Sequence, residues 1–317
     1  MQVRWLTFGA DVNPITRYNP RRPAIHWYNS RRMNSYVSKE IDQRVAKLQS
    51  ENNGSGKGNR SIIDLVLTTS MSKSTTTKPD AMDSTFKKFT MSQIKLFLFS
   101  GHDTTSSTVC WLFYILATHP AVLARVRAEH ASILTPHISH TASVLKSNPH
   151  LLNQLPYTLA VLKETLRLYP PVSSTRAGTP SQHITDAHGR HFPTHRFLVW
   201  ANPQPIHRDP AYWPDPDAFL PARWLVPQEH PLYPVQGAWR PFEHGPRNCI
   251  GQELAMLELK VIVVMAVRRF EVRLAYPEWD RVNGTKGVTT VYGERGYQVE
   301  RAQPCADLPC RVAEVVA

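Results

Sequence analysis

Residues 84 to 118 contain no proline, in a chain of 317 residues that has 26 prolines. Asp83 and Ser84 offer N-caps at the start of this stretch, and His119-Pro120 closes it. Apolar residues lie on both sides of its polar centre. The stretch is expected to be one long, largely buried helix. Around it the chain reads as mainly α with a small β region. Tyr36, Ile41, Val45 and Leu48 show helical spacing over 34–49, the short apolar stretch 61–69 reads as another helix, and 120–132 continues as a helix. "LLNQLPYTLAVLKETLRLYPP" (151–171) predicts a helix of about 12 residues, stopped by Pro170 and Pro171. Residues 250–270 are apolar almost all round, which predicts a buried helix. Short strands are expected over 172–200, with a turn at His188-Gly189, and strand alternation over 271–301. Residues 1–35 read as irregular, 51–59 and 70–80 as polar linkers, and 202–240 as loops and single turns.

The length allows one large domain or two ordinary ones, with a substantial core. Hydrophobic residues make up 42% of the chain and charged ones 20%, a globular composition. Lysine and arginine number 37 against 25 acids, a net charge of +12. Such a basic face suits a membrane surface, a nucleic acid or an acidic protein. No nucleic-acid motif accompanies it, so nucleic acid ranks last. The cysteines, Cys110, Cys249, Cys305 and Cys310, are too sparse for a disulfide scaffold. Cys305 and Cys310 have no His or Cys cluster beside them and read as tail residues. The apolar runs 110–117 and 261–267 fall far short of the roughly 20 residues that span a bilayer.

Cys249 lies in "PFEHGPRNCIGQELA" (241–255). A lone cysteine is most often a small buried hydrophobe. Here, however, Gly245 and Pro246 bend the backbone just before a helix expected to begin near Ile250. A helix start favours a thiolate through its amide N–H groups and dipole. Gly251 leaves room for a flat ligand, Phe242 supplies an aromatic wall, and Arg247 can reach an anionic edge. Together these suit haem, with Cys249 as axial ligand and Arg247 on a propionate.

The pattern F-x-x-G-x-R-x-C-x-G, formed by Phe242, Gly245, Arg247, Cys249 and Gly251, resembles the haem signature of the cytochrome P450 family. Three other segments agree in type and order. In "KETLRLYPP", Glu164 and Arg167 share a helix face. Alone they would read as a weak surface ion pair. The resemblance makes them the family's buried E-x-x-R pair, completed by Arg223 of "FLPARWL", with a structural role in fixing the haem-side loop. "FSGHDTTSS" (99–107) is poor helix material. By itself it reads either as a tolerated polar surface or as an internal cluster. It resembles the family's oxygen-binding groove, in which Gly101 opens space for dioxygen, Thr104 hydrogen-bonds the oxygen being activated and Asp103 relays protons. Ser100 stands where alanine or glycine is usual. "HRDPAYWPDPDAFLPARW" (207–224) resembles the stretch before the haem loop. Arg176 stands where a second propionate contact is common, and is equally well an exposed strand arginine. His195 replaces a usual turn glycine in "FPTHRFL", which predicts local strain.

The resemblance thus implies the C-terminal part of the cytochrome P450 fold. The chain reads as one domain lacking its usual N-terminal portion, with peripheral helices and loops over 1–80 and a haem-binding core over 84–317. The implied cofactor is haem b, its iron held by the Cys249 thiolate. The implied activity is monooxygenation of a small lipophilic substrate by O2, with electrons from NADPH-cytochrome P450 reductase. The family commonly sits on the endoplasmic reticulum, and the basic surface admits peripheral membrane contact. Two rivals are carried beside this reading: a truncated, non-catalytic remnant with weak or no haem binding, and a haem-thiolate peroxygenase or isomerase. Asp103 and Thr104 favour oxygen activation over the latter.

Overall fold

A computed structural model describes residues 21–51, 61–73, 84–284, 290–291, 294–295 and 308–315. Within these residues the fold is mainly helical with small antiparallel sheets. The chain divides into two compact units, Met1–Ser100 and Gly101–Ala317. The division falls inside the long helix α3, defined below.

In the first unit, α1 (Arg21–Glu51) and α2 (Ile62–Lys73) pack with the start of α3 (Ser84–Thr118). Their small core holds Val37, Ile41 and Leu48 of α1, Leu67 of α2, and Met91 and Ile94 of α3. Helix α1 begins earlier than its apolar spacing suggests, so residues 21–33 are helical and not irregular. Pro23 is tolerated because the first turn has no intrahelical use for its missing N–H. The Arg44 side chain pairs with the buried Asp64 carboxylate, which also accepts the Ser61 N–H at 2.7 Å. That pairing holds Asp64 well below the usual carboxylate range. Residues 70–73 belong to α2, not to a loop. The proposed linker over 52–59, the Asp83 cap and Cys305 lie outside the described residues.

The second unit is built round the C-terminal half of α3, α4 (Pro120–Ile133), α5 (Thr141–Ser147), α6 (Pro156–Leu168) and α8 (Gln252–Val267). Between α6 and α8 lies a short helix, α7 (Pro203–His207). Helices α3 and α4 meet at 108° across His119-Pro120. The main core joins Leu112 and Leu116 of α3, Val126 of α4, Val161, Leu162 and Leu166 of α6, and Met256, Leu259, Val263 and Val267 of α8. Side chains cap the helices across this core. The Glu129 carboxylate accepts the N–H groups of Tyr157 (2.7 Å) and Thr158 (2.8 Å) at the α6 N-terminus. Arg127 donates to the Val267 carbonyl at the end of α8 (2.9 Å). Before Pro170-Pro171, Tyr169 leaves the helix and stacks on Trp111, centroids 3.8 Å apart.

Two expectations about burial need correction. Helix α3 has the expected bounds, but it is not largely buried. Phe89 and Leu96 to Phe99 are exposed, as are Gly101, His102 and Asp103, and the helix turns inward only from Thr105 on. Helix α8 buries one face only. Leu254, Leu257, Val261 and Met265 form an exposed stripe at helical spacing. It starts at Gln252, two residues later than expected, because residues 249–251 are used in a turn. No single helix among the described residues is long and apolar enough to cross a membrane.

Strands β1 (Ser174–Ala177) and β4 (Leu198–Ala201) pair antiparallel. So do β2 (His183–Thr185) and β3 (His191–Pro193), across the turn at Gly189, φ 76°. The turn at 194–197 closes with the Phe197 N–H on the Thr194 carbonyl (3.0 Å). The strain expected at His195 falls one residue later, on Arg196, whose φ is 65°. That is the turn position that favours glycine. After α8, β5 (Phe270–Leu274) pairs with β8 (Cys310–Glu314), which places Cys310 opposite Leu274 in a strand and not in a loose tail. Between them stand α9 (Tyr276–Asn283), a helix absent from the strand expectation for 271–301, and the two-residue strands β6 (Thr290–Val291) and β7 (Glu294–Arg295).

Candidate haem-thiolate site

Cys249 sits in the loop that leads into α8, and its side chain is exposed. The loop is held by its own backbone. The Cys249 N–H donates to the Phe242 carbonyl (2.8 Å), and the Asn248 N–H to the Gly245 carbonyl (3.1 Å). Two residues take positive φ to make this path, Glu243 at 62° and Gly245 at 80°. Gly245 does so at no steric cost. Phe242 is half-buried against the main core and meets Trp239 edge to face at 6.0 Å. The anchor behind the sulfur is therefore rigid while the sulfur faces out.

A Cβ added at Gly251 would stand 3.8 Å from the Cys249 sulfur, so glycine keeps that flank clear. Beside it, Ile250 is 90% exposed, a large aliphatic side chain at the rim of the sulfur. Arg247 is exposed on the same loop. The Ser174 hydroxyl donates to the Glu243 carboxylate and so ties β1 to the loop. Arg176 lies two residues along β1, on the same strand face as Ser174, and is exposed. An outward sulfur, a cleared flank, an apolar rim and two arginines together fit a flat ligand with an anionic edge.

Gly101, Asp103 and Thr104 lie on α3, one to three turns before the residues that pack against α8. Nothing stands within 4 Å of a Cβ built on Gly101. The Asp103 side chain is 61% exposed, with His102 Nδ1 3.3 Å from its Oδ1. The Thr104 carbonyl accepts the Thr108 hydroxyl (3.0 Å). The polar cluster is thus split: residues 101–103 face out, whereas Thr105, Ser107 and Thr108 are buried.

Beneath the loop, Glu164, Arg167 and Arg223 are all 0% exposed. Spacing of three on α6 brings Arg167 Nε and Nη2 to the Glu164 carboxylate at 3.0 and 2.8 Å. Glu164 also accepts Arg223 Nε (3.2 Å), the Leu220 N–H (3.0 Å) and the Trp224 indole N–H (3.0 Å). Both guanidiniums spend further donors on backbone carbonyls: Arg167 on His207 and Ala218, Arg223 on Asp215. Of the nitrogens of these two guanidiniums, only Arg223 Nη1 lacks a partner among the described residues, and near-complete hydrogen bonding of this kind is what a buried pair requires. Desolvation pushes the Arg223 guanidinium below its ordinary pKa.

Three further residues carry this architecture without having been singled out in the sequence. Trp224 supplies a donor to Glu164, and Trp239 donates to the Lys163 carbonyl (3.1 Å). His207, wholly buried, bridges the Arg167 carbonyl and the Arg240 N–H. The aromatic and proline richness of 202–240, and for His207 and Trp224 their place at the two ends of the family-like stretch 207–224, are the signals that hint at them.

A family model described as Cytochrome P450 matches residues 8–299. The cytochrome P450 monooxygenase polC of Polytolypa hystricis is 43% identical over 318 residues, covering 99% of this chain and 56% of that relative. The cytochrome P450 monooxygenase acrF of Aspergillus aculeatus is 32% identical over 326 residues, covering 95% of this chain and 63% of its own. A crystal structure of a cytochrome P450 superposes with a TM-score of 0.68 at 24% identity, covering 96% of this chain and 60% of that one. The chain therefore spans somewhat over half the length of these three proteins. Family model, relatives and fold agree, and this chain belongs to the cytochrome P450 family.

Proposed function

We propose that the chain carries the haem-binding and catalytic part of a monooxygenase that inserts one atom of O2 into a small lipophilic substrate. Haem with a cysteine thiolate ligand follows from the family, and we assign the ligand as Cys249 and the cofactor as haem b. The observation that carries the reading is the Cys249 loop. Its backbone is pinned to Phe242, its sulfur faces out, and Gly251 clears the flank. When bound, haem supplies the redox chemistry for oxygen activation, and thiolate ligation favours O–O cleavage. The residues of this chain do the rest. Arg247 and Arg176 hold the anionic edge. Gly101 leaves space on α3, Thr104 donates a hydrogen bond to the oxygen being activated, and Asp103, solvent-exposed, passes protons inward. Glu164, Arg167 and Arg223 fix the strands and loops around the site and take no chemical part.

Electrons come, in this reading, from NADPH-cytochrome P450 reductase, whose acidic surface would complement the net charge of +12. Residence at the endoplasmic reticulum membrane is the matching location. Turnover with reductase, NADPH and 18O-labelled O2 tests the proposal. One labelled atom in the product and the other in water is the expected result. The Thr104→Ala variant should keep consuming NADPH while losing product. Unlabelled product, or undiminished coupling in the variant, would overturn the assignment of the α3 groove.

A further inference from the structure

His207 is wholly buried at the end of α7, and its two ring nitrogens face opposite kinds of partner. The Arg167 carbonyl, 2.9 Å from Nδ1, can only accept. The Arg240 backbone N–H, 2.8 Å from Nε2, can only donate. The partners thus dictate one state: a neutral imidazole with its proton on Nδ1. The same residue's carbonyl accepts from Arg167 Nη1 (2.8 Å). Arg240 opens the turn that leads to the cysteine. Its carbonyl accepts the Glu243 N–H (3.2 Å), and the Phe242 carbonyl within that turn holds the Cys249 N–H (2.8 Å).

We infer that His207 is a positioning residue for Cys249, a neutral imidazole bridge that carries the rigidity of the Glu164–Arg167–Arg223 network into the thiolate loop. A second tie from α6, the Trp239 indole N–H on the Lys163 carbonyl (3.1 Å), reaches the residue before Arg240, and His207 alone of the two bonds the Arg240 amide itself. The charged groups around the ring are the guanidiniums of Arg167, Arg208 and Arg240, and Trp213 packs edge-on at 6.4 Å. All three charges oppose protonation. A proton on Nε2 would set two N–H groups against each other and release Arg240.

Two side chains separate the two bonds. Asparagine places an N–H near the Nδ1 position and loses the acceptor for Arg240, whereas glutamine places an acceptor near Nε2 and keeps it. We therefore expect His207→Asn, but not His207→Gln, to speed hydrogen exchange at the Cys249 amide by about tenfold or more, the effect of losing one buried hydrogen bond. This readout needs no haem. With haem supplied, and resting on the ligand assignment above, His207→Asn should convert part of the reduced, carbon monoxide-bound thiolate band to a shorter-wavelength form while His207→Gln retains it. A wild-type chain without that band would count against the ligand assignment, not against the bridge. Equal exchange in both variants and the wild type would overturn the bridge. Should His207→Asn fail to fold, the unsubstituted chain decides. An Nδ1-protonated His207 with through-hydrogen-bond coupling between Nε2 and the Arg240 amide nitrogen is expected, and an Nε2-protonated or uncoupled ring would contradict the inference.

Discussion

The Glu164 network and the Cys249 loop are linked through His207 and Arg240, yet they differ in burial and in hydrogen bonding. Glu164, Arg167 and Arg223 are wholly out of water and nearly saturated with hydrogen bonds. Cys249, Arg247, Ile250, Gly101 and Asp103 face outward. The buried network is complete within this chain. The outward face presents groups that act only on something that meets them. In the proposed reading, support and chemistry are divided between buried, hydrogen-bonded residues and accessible ones, with His207 and Phe242 between them.

That division is sharpest under mutation. Glu164→Ala leaves two buried guanidiniums without their anion and should cost about 3–5 kcal/mol in chemical denaturation. Cys249→Ser, at an exposed position, should stay within about 0.5 kcal/mol in the same measurement without haem. Comparable losses from both would erase the distinction.

Acid should act on the supporting layer through His207 and His130. Burial pushes His207 down to about 3, with the three surrounding guanidiniums adding to it, and pushes His130 down to about 4, with Arg268 adding to it. His130 Nε2 donates to Thr158 (2.8 Å), whose hydroxyl donates to Glu129 (2.6 Å). Because both folded values lie below the ordinary histidine value of 6.5, the unfolded chain binds the protons first as pH falls. Stability is then full above that value and declines below it, by about 2 kcal/mol for the two groups between pH 6.5 and 5.5. A flat profile over that window would mean that neither ring is held neutral.

Smaller effects refine the picture. Trp224→Phe removes one of the five donors to Glu164 and should cost about 1 kcal/mol by thermal unfolding. At the periphery the sign reverses. Arg196→Gly relieves a φ of 65° in an exposed turn and should stabilise by about 0.5–1 kcal/mol. No gain there would mean that the turn tolerates arginine without strain.

What could be read from the sequence follows the same boundary. Glu164 and Arg167 are three apart on one helix, so their pairing was legible from spacing, whereas their burial was legible only through the family resemblance; the Cys249 loop is marked by residue types at fixed spacing. The bounds of α3 were legible too, because proline and caps mark ends. Its exposure was not. Leu96 to Phe99 look like core by composition, and nothing local says which side of a helix meets neighbours. His207 was illegible for a different reason. Its partners lie 40 and 33 residues away, and its tautomer depends on which carbonyl and which amide the fold brings to its ring. Helix α9 escaped because eight residues with a proline near the start carry little periodic signal.

The most direct test of the central claim is the reduced, carbon monoxide-bound absorption spectrum of this chain with haem supplied, taken beside that of Cys249→Ser. A strongly red-shifted Soret band in the first and its loss in the second is the predicted result. A band that survives the substitution would contradict the assignment of Cys249 as the thiolate ligand, and its absence from both folded proteins would contradict haem binding by this chain.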